Sequence, residues 1–95
     1  LYNNLGALFE KIGNYDSALQ MLEVGIKLNP NNAVGFYNRA VVYDKKGDFE
    51  KALNDYRKAV ELGHKKSEEI KKRISQLKAI IASSPKYSYG FKFGG

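Results

Sequence analysis

The stretch FYNRAVVYDKKGDFEKALNDYRKAVEL, Phe36 to Leu62, decides how the chain folds. Its apolar residues recur at helical spacing on both sides of one interruption, Lys46-Gly47-Asp48, and that pattern predicts a helical hairpin. In the first arm Phe36, Ala40 and Tyr43 share a face, because helix positions three and four apart are neighbours. In the second arm Phe49, Ala52, Leu53, Tyr56 and Ala59 do the same. Gly47 stands where a helix end favours a left-handed residue, and Asp48 is placed to cap the next helix. Small residues (Ala40, Ala52, Ala59) alternate with aromatic ones. Two helices built this way approach closely, with rings filling the gaps.

Shifted by about 34 residues, the stretch from Tyr2 to Leu28 falls on this unit. Tyr2 meets Phe36, Gly6 meets Ala40, Phe9 meets Tyr43, Gly13 meets Gly47, Tyr15 meets Phe49, Ala18 meets Ala52, Leu22 meets Tyr56, and Gly25 meets Ala59. Small and large classes recur in the same order. The pattern resembles the tetratricopeptide repeat family, whose signature appears as Tyr2, Leu5-Gly6, Phe9, Ala18, Leu22 and Pro30. The second copy carries Phe36, Arg39-Ala40, Tyr43, Ala52 and Tyr56, and departs at its end, where His64 replaces the proline. The resemblance covers about two thirds of the chain and implies an all-α fold: antiparallel hairpins stacked as a right-handed superhelix.

The expected organisation is a first repeat over 1–32, a second over 33–64, a capping helix over 65–82 and an aromatic tail over 83–95. Asn29-Pro30-Asn31-Asn32 punctuates the join between repeats. In the capping helix Ile70, Ile74, Leu77 and Ile81 form one apolar stripe, while Lys71, Lys72, Ser75 and Lys78 lie elsewhere on the wheel. The tail alternates Tyr87, Tyr89, Phe91 and Phe93 with small or basic residues, a period of two without a partner strand. It is expected either to fray or to lie extended in a groove of its own or a neighbouring molecule.

Composition narrows the function. The 95 residues hold no cysteine, which removes disulfides and thiolate metal sites. No apolar run reaches the roughly 18 residues of a membrane span. The first residue sits within a helical pattern, as in a piece of a longer protein, and the expected location is the cytoplasm. The net charge of +6 is uneven: residues 1–48 hold five basic and five acidic side chains, residues 49–95 eleven and five. Little supports catalysis. His64, the one histidine, lies at a helix exit with no nucleophile spaced beside it, the glycines form no phosphate loop, and Glu68-Glu69 point to different sectors of their helix. No catalytic residue, metal ligand or cofactor is expected.

Binding is better supported. In stacked hairpins the first helix of each pair lines the concave side. That places Asn3, Asn4, Ala7, Glu10 and Lys11, then Val34, Tyr37, Asn38, Val41, Asp44 and Lys45, then Glu68, Lys71, Lys72, Ser75 and Lys78 along a groove. Asn4 and Asn38 stand one repeat apart, and an amide both donates to and accepts from a peptide backbone. The pair is similar to the asparagine ladder of some tetratricopeptide superhelices. The expected peptide site is therefore Asn4, Tyr37 and Asn38, with Lys71 and Lys72 favouring an acidic end. Of the chaperone-binding subgroup's carboxylate clamp only Asn38 is matched; its first-repeat Lys and Asn are Asn3 and Ala7 here.

The competing expectation is nucleic-acid binding through Lys65, Lys66, Lys71, Lys72, Arg73 and Lys78, with stacking on the tail aromatics. A third is a structural module that assembles its parent protein. Two hairpins fall short of the roughly three units a repeat stack needs. Self-association through the tail or the open first helix, or cover from upstream repeats, is the expected remedy.

Overall fold

The computed structural model describes residues 1–84, and the aromatic tail expectations lie outside the described residues. Five helices follow one another: α1 (Tyr2–Lys11), α2 (Tyr15–Leu28), α3 (Ala33–Lys46), α4 (Phe49–Glu61) and α5 (Ser67–Ser83). Among the described residues there is no strand. α1 packs on α2 and α3 on α4 as hairpins, α3 lies against α2, and α5 closes on α4.

Three helix ends are built alike. After α1, α3 and α4 the chain turns through Gly13, Gly47 and Gly63, whose φ angles are 84°, 87° and 83°, a left-handed conformation that strains any residue carrying a Cβ. Behind Gly47 the Asp48 N–H donates to Tyr43 O at 2.9 Å and the Gly47 N–H to Asp44 O at 3.1 Å, which satisfies carbonyls the helix leaves unpaired. Asn14 N–H to Phe9 O and His64 N–H to Ala59 O repeat the first of these bonds. The substitution of His64 for proline is thereby accounted for, because proline has no N–H to give. At the opposite ends Asn14 Oδ1 accepts from Ser17 N–H and Asn32 Oδ1 from Val34 N–H. Asp48 occupies the cap position of α4 without a side-chain bond.

The core has two parts. Ala40, Ala52, Tyr56, Ala59, Ile70 and Leu77 form the larger, with Phe36, Tyr43, Phe49, Leu53 and Ile74 packed around it. Ala18, Leu22 and Val42 form the smaller, flanked by Phe9, Tyr15 and Leu19. Val42 belongs to the second hairpin yet is fully buried in the core of the first. This knob joins the repeats. Gly6 explains how closely α1 and α2 approach: a Cβ on it would lie 2.4 Å from Leu22 Cγ.

Candidate functional site

The first helices of successive units, α1, α3 and α5, carry Asn4, Asn38 and Lys72 at positions 34 residues apart. Asn4 and Lys72 are exposed, whereas Asn38 is half-buried. Asn38 Nδ2 donates to the backbone carbonyl of Asn3 at 3.3 Å, linking α3 to α1. One amide hydrogen is thus used within the stack. The amide's other hydrogen and its oxygen hold the groups a peptide backbone requires.

Tyr37 is placed differently from an open groove residue. Its ring lies 4.5 Å from the His64 ring and 6.1 Å from Tyr56, centroid to centroid, and the Lys66 ammonium sits 5.8 Å above it. It is half-buried against the α4–α5 connection. His64 beneath it is only 7% exposed. Its Nδ1 accepts the Lys66 N–H at 2.9 Å, and its carbonyl accepts the Ser67 hydroxyl at 2.6 Å. Burial, with Lys66 and Lys65 nearby, holds this imidazole below its ordinary pKa. The neutral ring is the form that accepts the Lys66 bond.

Tyr37 also walls a hollow of about 210 Å³ completed by Asp44, Tyr56, Glu69, Ile70 and Arg73. At its base Asp44 accepts from three donors: the Tyr56 hydroxyl at 2.9 Å, Arg73 Nε at 2.8 Å and Arg73 Nη2 at 2.7 Å. Burial first, and then the Asp44 carboxylate, push the Tyr56 phenol's pKa up, so it stays a donor. The bond to Asp44 raises the Arg73 guanidinium against the opposing effect of desolvation. Bidentate geometry of this kind fixes direction as well as distance, and here it ties α5 to α3.

The same device occurs one unit earlier, where Lys45 of α3 pairs with Glu10 of α1. Glu10 and Asp44 are equivalent positions. Each first helix thus offers an acid that receives a base from the next. Within the second hairpin Arg39 holds Asp55 by bonds of 2.7 and 3.0 Å, and Asp55 is buried. The sequence reading placed Asp44 on the groove without its partners, and it assigned Arg73 to a nucleic-acid surface. The available signal was the recurrence of an acid at 10 and 44.

Lys71 and Lys72 stand together on α5, beside a shallow hollow of about 370 Å³ lined by Glu68, Glu69, Lys71, Lys72 and Ser75. The Lys71 ammonium lies 3.5 Å from Glu68, an exposed pair that leaves it available to a stronger anion. The helices therefore bring Asn38 and Tyr37 together on α3, with Asn4 and the two lysines at equivalent places on its neighbours. Of the other basic residues, Arg73 is committed to Asp44, while Lys65, Lys66 and Lys78 are exposed, Lys66 lying over the face of Tyr37. Among the described residues no group of three or more His, Cys, Asp or Glu could hold a metal ion. No helix among them is long and apolar enough to cross a membrane.

Comparison with known proteins agrees with this architecture. Residues 1–32 and residues 33–65 each match a family model described as Tetratricopeptide repeat. The TPR repeat-containing protein MJ1428 of Methanocaldococcus jannaschii is 32% identical over 60 residues, covering 63% of this chain and 11% of that protein. The Photosystem I assembly protein Ycf3 of Prochlorococcus marinus strain NATL1A is 36% identical over 63 residues, 63% of this chain and 36% of the relative. Its counterpart in strain NATL2A is 35% identical over the same length. The chain thus spans about a third or less of the relatives it matches. Repeats of this kind generally serve as protein-interaction modules, and by its paired family matches and stacked hairpins the chain belongs to the tetratricopeptide repeat family.

Proposed function

We propose that the domain is a non-enzymatic scaffold that holds an extended peptide segment across α1, α3 and α5. The observation that carries the reading is the half-buried Asn38. Its bond to the Asn3 carbonyl orients the amide, and its remaining donor and acceptor match one peptide unit whatever the side chains. Asn4 supplies a second such amide on α1. The Tyr37 hollow takes one side chain. Lys71 and Lys72 favour an acidic residue or a C-terminal carboxylate at the α5 end.

The test is capture from a native lysate by the full 95-residue chain, beside an Asn38→Ala/Lys72→Ala variant, each with and without nuclease. A protein retained by the wild type, lost from the variant and indifferent to nuclease supports the reading. Retention that vanishes with nuclease and ignores the variant refutes it in favour of a basic nucleic-acid surface. For such a surface affinity falls steeply with salt, because phosphate contacts release counterions.

A further inference from the structure

We propose that the hollow beside Tyr37 takes an arginine or lysine side chain of the bound peptide, held by Glu69 and Asp44, an assignment that rests on the peptide reading above. The walls are Tyr37 and Asp44 of α3, Tyr56 of α4, and Glu69, Ile70 and Arg73 of α5. At about 210 Å³ the space is smaller than the roughly 300–1,000 Å³ of small-molecule sites. It has room for one side chain.

The hollow exists because the second repeat departs from the first at this junction. Asn3, one repeat before Tyr37, is wedged between glycines. A Cβ on Gly25 would lie 2.8 Å, and one on Gly35 3.2 Å, from its Oδ1, an atom shut off from solvent. One repeat later, Tyr37, Ala59 and Glu69 occupy the same three positions. Gly35 is buried, whereas Glu69 is exposed. The consequence is visible in the packing: α3 lies against α1, but α5 lies against α4 and not against α3. The Arg73 side chain crosses to Asp44, and the hollow lies beside that crossing.

What the walls leave unused is acceptor, not donor. Asp44 and Glu69 bring two negative charges, and Arg73 brings one positive. Arg73 engages Asp44 through Nε and Nη2 and Gln76 through Nη1. A carboxylate has about four lone-pair sites, of which Asp44 has filled three. Among the described residues Glu69 joins no ion pair, although its neighbour Glu68 meets Lys71. The rings of Tyr37 and Tyr56 flank the stem of the incoming side chain, and aromatic faces attract cations, as Lys66 shows over Tyr37. An acidic side chain would meet two carboxylates, and an apolar one would cover acceptors without supplying a donor. Glu69 also borders the shallow hollow of Lys71 and Lys72. The two places adjoin, so at about 3.4 Å per extended residue the acidic residue on the lysines lies within about three positions of the basic one.

The test is selection from a phage-displayed library of random dodecapeptides on the immobilised 95-residue chain, beside Glu69→Gln, Glu69→Lys and Asn38→Ala, each checked for unchanged helical circular dichroism. The wild-type pool is expected to be enriched about five- to tenfold in Arg or Lys near an acidic residue. A chain of net charge +6 repels basic peptides in general, so this enrichment reports the hollow. Glu69→Gln is expected to lose it while keeping the preference for an acid, and Glu69→Lys to select against basic residues. A wild-type pool with aromatic or aliphatic residues at that place, or a basic preference that survives Glu69→Gln, overturns the proposal and leaves the peptide reading standing. A wild type that retains no sequence, or retention unaffected by Asn38→Ala, overturns both.

Discussion

Gly6→Ala is expected to be destabilising by up to about 2 kcal/mol, although alanine is the better helix former. Replacing glycine inside a helix ordinarily gains about 1 kcal/mol. Here the new Cβ would lie 2.4 Å from Leu22 Cγ and 2.6 Å from its Cδ2. Leu22 is fully buried, between Ala18 and Val42, and has no room to withdraw. Overpacking of a filled core costs about 1–3 kcal/mol, and it outweighs the propensity gain. The reasoning has a sharper consequence in the background of Leu22→Ala. That truncation alone costs about 2–5 kcal/mol, but it removes the atoms in conflict. Adding Gly6→Ala to it is then expected to stabilise by about 1 kcal/mol, reversing the sign. Urea titrations of the four proteins, followed by far-ultraviolet circular dichroism, measure each step. A Gly6→Ala effect of the same sign in both backgrounds would refute the close-approach argument.

Further outcomes follow from other contacts. Arg73→Met is expected to cost about 1–2 kcal/mol, since it leaves the mostly buried Asp44 carboxylate with one donor in place of three. Amide exchange should then accelerate in α5 before α1. Gly47→Ala meets no neighbour within 4 Å, so its cost of about 1–2 kcal/mol is purely that of a left-handed backbone; a denaturation midpoint equal to wild type would contradict it. Because the His64 pKa is lowered in the fold, the unfolded chain binds a proton that the folded chain refuses. Its stabilising contribution is complete above the unfolded value of about 6.5 and is lost as pH falls toward the folded one. Melting between pH 7.5 and 5.5 should therefore drop in the wild type and much less in His64→Gln.

The hairpins were legible in the sequence because their signals are local. Gly13 and Gly47 mark turns, and the 34-residue register assigns Ala18, Leu22, Ala52 and Tyr56 to the core without knowledge of the tertiary structure. The angle between hairpins is not local, and whatever depends on it was illegible. Val42 falls on neither the packing face nor the groove read from the sequence, and its burial follows only once α2 is placed across it. Asp44 and Arg73, 29 residues apart, join only when α5 closes on the second hairpin. His64 reads as a misplaced proline. Its burial beneath Tyr37 depends on the path of the α4–α5 connection, which also turns Tyr37 from an open groove residue into the wall of a hollow. Asn4, Asn38 and Lys72 were legible as a register, whereas the bond from Asn38 to α1 was not.

The central claim is that a peptide lies across the first helices. Its most direct test is backbone amide chemical-shift mapping of the isotope-labelled chain during titration with a peptide selected for binding to it. The account predicts shifts concentrated at Asn4, Tyr37, Asn38, Lys71 and Lys72, suppressed by Asn38→Ala. Shifts confined to the outer faces of α2 and α4, or to Lys65 and Lys78 with Asn38 unmoved, would contradict it.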